Sequence, residues 1–191
     1  MISIEQNLFE GEHIVLHSID VEKDSAAEVP WTTNLDYLMD YACPVQRPQS
    51  AMELQELHRE HLKDMQAKRN VFPFGLHEKA GDRLIGFLRA SVMVWSHGAS
   101  RLVVQVGSPE DFARYGEEVL RLGLAYIFEE LNQFRVTITV QEYNREMIAM
   151  LDRLGFKREV VRRDAVYRHG QYWDLYHYGL LLEEYTQMSA R

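Results

Sequence analysis

The stretch from 104 to 156 holds the residues whose types and spacing are best suited to chemistry. A strand rich in valine leads through Gly107-Ser108-Pro109 toward a helix, and a later strand leads to Asn144 ahead of another helix. The first turn of a helix presents backbone N–H groups and the positive end of the helix dipole, a combination that suits pyrophosphate. An asparagine amide both donates and accepts hydrogen bonds, so Asn144 either orients a ligand or caps the helix that follows it. The stretch therefore predicts a site for a ligand that carries phosphate.

Three histidines are weaker candidates. His58 and His61 stand three residues apart on a predicted helix, but neither an HExxH spacing nor a third ligand accompanies them. We therefore interpret them as part of a partly exposed helix face and expect no metal site. His97 precedes a predicted strand, where it serves either as a base near the reacting group or as an ordinary loop residue.

Two clusters near the C-terminus each have two interpretations. A basic cluster either contacts an anionic ligand or partner or forms a solvated strand face, because acidic residues interleave with it; its members are Lys157, Arg158, Arg162, Arg163 and Arg168. Aromatic residues alternate along the last strand, so one set lines the core. The other set either walls an acceptor cleft or forms a contact in a homodimer; the residues are Tyr172, Trp173, Tyr176 and Tyr178.

Composition narrows the classes of function. The 191 residues include 21 Lys+Arg and 29 Asp+Glu, for a formal net charge of −8, which argues against nucleic acid as the main partner. No apolar run approaches the roughly 20 residues of a membrane-spanning helix, and the N-terminus lacks a leader pattern. We therefore expect a cytoplasmic protein with no membrane association. Cys43 is the only cysteine, which excludes an internal disulfide and a zinc site built from cysteines.

The first half of the chain is predicted to be mostly β-structure around one helix. A strand at 13–17 precedes an irregular stretch that runs through Pro48. Ser50 and Glu53 have capping-box spacing, and apolar residues then recur at helical spacing over 51–67. Strands at 71–77 and 83–95 flank a turn and form a predicted hairpin, and another strand follows at 101–107.

The second half alternates helices and strands. The helix over 115–131 has the clearest apolar face, and it is followed by a strand at 136–140, a helix at 144–154 and strands at 157–167 and 172–182. Ser108 and Pro109 with an acid at the third helical position equally favour a helix that begins at 109, in which Gly116 is an interior residue. The order β-α-β-β-β-α-β-α-β-β indicates one α+β or mixed-sheet domain over residues 1–191.

These elements carry a family resemblance. The segment 115–132 resembles the cofactor helix of the GNAT acyl-CoA-dependent N-acyltransferases. Asn144 ahead of Leu154-Gly155-Phe156, and Gly170-Gln171-Tyr172-Trp173-Asp174 before a last strand, resemble the subgroup that contains the ribosomal-protein N-terminal acetyltransferases and the spermidine acetyltransferases. The resemblance extends from His13 to Tyr185 and is strongest over 104–182.

The resemblance implies a fold and a cofactor. The fold is a single-domain α+β GNAT fold, whose central mixed, mostly antiparallel sheet is splayed between the fourth and fifth strands and has helices on both faces. The cofactor is acetyl-CoA, whose pantetheine chain pairs with the backbone of the fourth strand as an added strand would. The residues that the resemblance assigns to cofactor binding are Val104, Gln105, Val106, Ala113, Arg114, Tyr115, Gly116, Glu117 and Asn144.

The chain departs from the family pattern in two places. The pyrophosphate loop of the family reads Gln/Arg-x-x-Gly-x-Gly/Ala, and the matching positions here run from Asp111 to Gly116. Arg114 replaces the first glycine, so it either adds a cation for phosphate or blocks the approach of the backbone. In many relatives a tyrosine donates a proton to the leaving thiolate, and that position here is Leu151.

The implied reaction is attack of a primary amine on the thioester, with Asn144 as the catalytic residue that orients cofactor or water. The acceptor is a protein N-terminus or a small cationic amine. An amine of pKa about 10.4 is neutral about 4 times in 10,000 at pH 7, a deficit of roughly 4.6 kcal/mol, whereas an α-amine near 8 loses about 1.4. Arg114, Arg121 and Arg145 are expected to supply cations for the anionic cofactor. The alternative is a catalytically impaired GNAT-fold protein that binds a small ligand or a partner protein.

Overall fold

The computed structural model describes residues 7–34, 37 and 47–189. Cys43 lies outside these residues. Among them, the hydrogen-bonded strands follow the order β1-β2-β3-β4-β5-β7-β6 in one mixed sheet. The strands are β1 Ile14–His17, β2 Val71–Glu78, β3 Arg83–Val94, β4 Ala99–Val106, β5 Arg135–Gln141, β6 Lys157–Arg168 and β7 Gln171–Leu181. Each of them was predicted from the sequence to within two residues, and the α+β fold class is confirmed.

The helices agree less evenly with the sequence patterns. They are α1 Val21–Glu28, α2 Ala51–Lys68, α3 Pro109–Ala125, α4 Arg145–Arg153 and α5 Leu182–Ser189. The pattern predicted α2 and α4 closely, but it missed α1 and α5. In α1 the buried side chains are Asp24, Ser25 and Glu28, so the helix has no apolar periodicity to detect. No helix in the described part of the chain is both long and apolar enough to cross a membrane.

The chain packs as two compact units. The first unit comprises Met1–Ser91 and Val103–Tyr126. In it, β1, β2 and most of β3 form an antiparallel sheet, and α1 packs on α2. Large apolar side chains with almost no exposure fill its core, among them Ile14, Leu54, Leu76, Ile85, Leu88 and Leu120.

The second unit comprises Val92–Leu102 and Ile127–Arg191. Here β7 lies between β5 and β6 and is antiparallel to both. β4 and β5 pair in parallel through Ala99–Arg101 and Arg135–Thr137, at the beginning of each strand. This pairing is consistent with the predicted splay between the fourth and fifth strands. The core of this unit includes Ile127, Val136, Ile138, Leu151, Leu154 and Leu180.

The N-terminus of α2 carries the predicted capping box. Ser50 Oγ accepts the Glu53 N–H at 3.3 Å, and the Glu53 carboxylate accepts the Ser50 N–H at 2.9 Å. Two backbone donors that would otherwise lack partners are thereby satisfied by one reciprocal pair of side chains. The Arg47 guanidinium also pairs with Glu53, and its hydrogen bond is the main reason that the pKa of Glu53 is lowered to about 2.

The sequence suggested that His58 lies on a partly exposed helix face, and this prediction is wrong. Its side chain is buried and forms an ion pair with the buried Glu28 carboxylate, with 2.7 Å between Nε2 and Oε2. The Tyr37 hydroxyl donates to the other oxygen of Glu28 at 2.8 Å. The sequence pattern does not reveal this arrangement, because the carboxylate comes from α1, thirty residues earlier. A buried carboxylate needs such partners, since an unpaired charge in the interior is costly.

His61 lies one turn further along α2 and faces Arg89 on β3. Its Nε2 is 3.2 Å from the Arg89 guanidinium. Burial, reinforced by the positive charge of Arg89, lowers the pKa of His61 from 6.5 to about 4. The ring is therefore neutral in the folded protein at neutral pH.

We expect Ser50→Ala to lower the free energy of unfolding by about 1 kcal/mol, because it removes the cap of α2. Urea denaturation monitored by circular dichroism measures the loss. Met52→Ala is the matched control, since Met52 lies in the first turn of the same helix and is 76% exposed. A loss in Ser50→Ala no larger than in Met52→Ala would contradict the capping role.

The folded protein should lose stability as the pH falls from about 6.5 toward about 4, partly because of His61. The folded pKa lies below the unfolded one, so in this window the unfolded chain binds the extra proton. We expect His61→Gln to reduce the difference in unfolding free energy between neutral and mildly acidic buffer. Urea titrations at both pH values test this, with the exposed His169→Gln as control. A difference unchanged from the parent chain would refute the assignment.

Candidate active site

The end of β4 holds the residues expected to pair with the cofactor chain. Val104 and Gln105 are buried and Val106 is half-buried. The Gln105 side chain donates to the Tyr37 carbonyl oxygen at 3.4 Å, so this side chain is turned into the first unit. The backbone then reaches Gly107, where an added Cβ would lie 2.1 Å from the Trp31 ring. Only glycine fits this close approach, which fixes the path from β4 to α3.

Helix α3 begins at Pro109 and not at Tyr115. Ser108 is its N-cap, with Oγ accepting the Asp111 N–H at 3.1 Å, and the Ser108 carbonyl accepts the Phe112 N–H at 3.0 Å. The alternative start that the sequence offered is therefore the observed one, and Gly116 is a buried interior residue. Within a helix each N–H bonds to the carbonyl four residues earlier. The N–H groups of residues 113–116 are therefore committed to the helix and cannot cradle a pyrophosphate.

An ion pair closes the first turn of α3. The Arg83 guanidinium makes two parallel hydrogen bonds to the Asp111 carboxylate, at 2.8 and 2.9 Å, and a third to Glu78 at 3.1 Å. The Arg83 hydrogen bond is the main cause that lowers the pKa of Asp111. The carboxylate at this helix start is thus ionised and turned toward Arg83. Arg83 is not among the residues predicted for the site, because its only signal in the sequence is its position at the start of a strand.

The predicted cofactor residues on α3 differ in exposure. Ala113 and Arg114 are exposed, whereas Tyr115 and Gly116 are buried. The Tyr115 hydroxyl donates to Glu78, and the Arg114 guanidinium lies 4.9 Å from the centre of the Tyr115 ring. Glu117 pairs with Arg121 one turn later at 2.9 Å. This surface of α3 therefore offers guanidinium groups, and not backbone N–H groups, to an anion.

Asn144 lies in the second unit at the N-terminus of α4. Its Oδ1 accepts the Met147 N–H at 3.1 Å, so the side chain caps the helix. With Oδ1 engaged, the amide NH2 is the part of the side chain that suits a ligand oxygen. Leu151 is completely buried in the core of this unit, and it has no group that could donate a proton. Arg145 is exposed beside the cap.

The remaining candidates lie on the surface of the second unit or in its core. His97 is exposed in a short turn. On β6, Lys157 pairs with Glu184, and Arg158 lies 4.7 Å from the centre of the Tyr176 ring. Every residue of β6 is exposed except Val166, which is buried, and Arg168, which is half-buried; the strand therefore has the solvated face that the sequence offered as one interpretation. In the last strand Tyr176 and Tyr178 are buried, Trp173 is half-buried and Tyr172 is 64% exposed.

Part of this chain is similar in sequence to a bacterial N-acetyltransferase. It is 30% identical over 72 residues to an uncharacterized N-acetyltransferase of Bacillus subtilis, an alignment that covers 38% of this chain and 42% of the relative. The chain thus spans under half of the length of that relative.

Two solved structures from Vibrio cholerae share the fold. One is a spermidine N-acetyltransferase in complex with CoA and spermine, at a TM-score of 0.76 and 18% identity, with 92% of this chain and 99% of that chain covered. The other is a putative ribosomal-protein-serine acetyltransferase, at a TM-score of 0.71 and 18% identity, with 91% and 96% covered. Enzymes of these two kinds are the ones after which the subgroup that the sequence resembles is described. The family model of the acetyltransferase (GNAT) domain matches residues 13–157, so the chain belongs to the GNAT acetyltransferase family.

Proposed function

We propose that this protein is an N-acetyltransferase that moves an acetyl group from acetyl-CoA to a primary amine. The observation that carries the proposal is the match of the GNAT domain over residues 13–157, which includes β4, α3, β5 and α4 in family order. A GNAT relative of the same fold is described as a complex with CoA and spermine. A protein N-terminus and a small cationic amine are both acceptors of the class that we propose.

The cofactor is proposed to bind mainly through β4 and α3. Backbone groups of Val104, Gln105 and Val106 would pair with the pantetheine chain as an added strand. Since the N–H groups of residues 113–116 serve the helix, we assign the phosphate contacts to the exposed guanidinium groups of Arg114 and Arg121. Guanidinium groups form strong charge-assisted hydrogen bonds with phosphate oxygens.

The remaining predicted cofactor residues on α3 are proposed to act by position. Ala113 leaves room beside Arg114, and the buried Tyr115 ring supports the Arg114 guanidinium from below. Gly116, although it is buried in α3, stays a predicted cofactor residue, and Glu117 holds Arg121. In the second unit, the Asn144 amide NH2 is proposed to donate to cofactor or water, while its oxygen caps α4.

The reaction balances without a metal ion. The neutral amine attacks the thioester carbon, a C–N bond forms, the C–S bond breaks, and the amine proton passes to solvent. A backbone N–H stabilises the oxyanion, and the leaving thiolate takes its proton from water, because Leu151 has none to give. An α-amine is neutral far more often at pH 7 than a lysine-type amine. This chemistry therefore favours a protein N-terminus unless the acceptor site itself removes a proton. We continue to predict that the protein operates in the cytoplasm and that the reaction uses no metal ion.

A second candidate function is binding without catalysis. The helical start at Pro109 removes the usual pyrophosphate cradle, and Leu151 removes the usual proton donor. A protein of this kind would bind a small ligand or a partner protein through the same fold. Activity measurements separate the two candidates.

We expect release of free thiol from acetyl-CoA in the presence of a peptide with a free α-amine, measured with a chromogenic thiol reagent. With an amine of pKa near 10.4, the rate should rise about tenfold for each pH unit between 7 and 9, because the neutral fraction of the amine rises by the same factor. With an α-amine the rate should level off near pH 8. Absence of turnover with peptides and polyamines alike, at millimolar acetyl-CoA, would favour the binding function.

Arg114→Ala should raise the Kd for CoA about tenfold, which corresponds to about 1.4 kcal/mol for one lost charge-assisted contact. Calorimetry with CoA and with dephosphorylated pantetheine measures the change. The loss should be confined to the ligand that carries phosphates. Arg163→Ala, on the exposed face of β6, is the matched control. Equal affinity for CoA in Arg114→Ala and in the control would exclude Arg114 from the phosphate site.

A further inference from the structure

Three side chains with metal-binding chemistry meet in the first unit, and none of them is among the residues assigned to the cofactor. They are His17 at the end of β1, His77 on β2 and Asp82 in the turn between β2 and β3. One ligand atom from each lies within 4.8 Å of the other two. They line a surface cavity of about 400 Å³, together with Glu10, Val15, Glu78 and Lys79.

The antiparallel pairing of β1 with β2 creates this proximity. Val15 is the direct partner of His77, so His17, two residues further on, projects from the same face as a diagonal neighbour. The two imidazole rings stack with their centres 4.9 Å apart and their planes 19° from parallel. On the outer side, Nδ1 of His77 lies 2.9 Å from Oδ1 of Asp82. Asp82 holds its position through a left-handed backbone conformation, with φ of 50°.

A buried carboxylate stands behind His77. The His77 side chain is 6% exposed, and its Nε2 lies 3.6 Å from Oδ1 of the fully buried Asp24. Neither atom has a hydrogen-bond partner in the described part of the chain. Oδ2 of Asp24 is held by the Asp20 N–H at 2.9 Å. A carboxylate that faces the second nitrogen of a ligating histidine is the usual outer-shell support of a metal site, because it orients the ring and makes the ligating nitrogen more basic.

We propose that His17, His77 and Asp82 bind a divalent transition-metal ion of the zinc type. His77 would ligate through Nδ1 and direct Nε2–H toward Asp24, Asp82 would ligate through Oδ1, and His17 through a ring nitrogen. Two imidazoles and one carboxylate suit Zn²⁺, with water as the fourth ligand. Metal–ligand bonds of about 2.0–2.2 Å place tetrahedral ligand atoms roughly 3.3–3.5 Å apart. The exposed His17 and Asp82 side chains therefore need to move by only one to two ångströms, on the scale of a side-chain rotation.

Lys23 and Lys79 are cations beside the proposed ligands. Lys23 Nζ lies 2.8 Å from Oδ2 of Asp82, the oxygen not assigned to the metal. Its charge opposes that of the ion, although solvent screens an exposed ammonium. The other cation at the cavity, Lys79, pairs with Glu10 at 3.5 Å. Removal of the Lys23 charge should therefore strengthen metal binding, an effect opposite to that of removing a ligand.

Titration of the full-length, tag-free chain with Co²⁺ and with Zn²⁺ tests the proposal. We expect one ion per chain by calorimetry and, with Co²⁺, the intense visible absorption of a four-coordinate site. His17→Ala and Asp82→Asn should each weaken binding at least tenfold. Asp24→Asn should weaken it about 10–100-fold, as outer-shell changes do. Lys23→Ala should tighten it, and His97→Ala, which removes an exposed histidine elsewhere, should leave it unchanged.

These experiments measure metal binding and not acetyl transfer, so they test the metal site independently of the proposed function. Circular dichroism establishes that each variant is folded, and His17 and Asp82 are exposed side chains whose replacement leaves the core intact. Equal Zn²⁺ affinity in the parent chain, His17→Ala and His97→Ala would overturn the site. A six-coordinate Co²⁺ spectrum that is indifferent to Asp82→Asn would also overturn it, since it would indicate adventitious surface binding.

Discussion

The ion pair between Arg83 and Asp111 joins the start of β3 to the first turn of α3, and the character of the candidate cofactor site depends on that turn. An isolated exposed ion pair contributes little, typically under 1 kcal/mol. Here, however, the pair acts together with the Ser108 cap and with Pro109, which already has a helical backbone angle. The three contributions agree, so the helix begins six residues before Tyr115. The N–H groups of residues 113–116 consequently bond within the helix, and an anion can meet only side chains there.

Because the net charge is −8, the distribution of cations over the surface matters for the binding of an anion. An acidic protein that uses an anionic cofactor must concentrate cations at one surface, and α3 presents Arg114 and Arg121 on one side. Three acids of this region are engaged by guanidinium groups, since Asp111 and Glu78 pair with Arg83 and Glu117 pairs with Arg121. In the cofactor site that we propose, guanidinium groups would take the place of the glycine-rich backbone of the family.

The first unit also contains two buried carboxylates, each of which faces a histidine. Asp24 and Glu28 lie four residues apart on α1, and each faces a histidine from a different element, His77 on β2 and His58 on α2. Glu28 is fully satisfied by His58 and Tyr37, whereas Asp24 retains an oxygen without a hydrogen-bond partner. Burying a charge is costly unless it is paired. Two otherwise similar carboxylates therefore differ in their hydrogen bonds: Glu28 belongs to a complete ion pair, and Asp24 stands behind a ligand of the metal site that we propose.

The sequence by itself determined the strands, α2, α4 and the family, because periodicity, caps and turns are local and the GNAT motifs extend over many residues. Ser108 and Pro109 also indicated the correct start of α3. The sequence alone could not decide between a helix that begins at Pro109 and a pyrophosphate loop followed by a helix that begins at Tyr115. Only the tertiary structure decided that choice, through Arg83, a residue 28 positions earlier in the chain. It alone paired His58 with Glu28 and brought His17 to His77, sixty positions apart. The buried face of α1 is polar, so the sequence pattern did not predict this helix or its Glu28 carboxylate. Hydrophobic periodicity cannot report which distant side chain neutralises a buried charge.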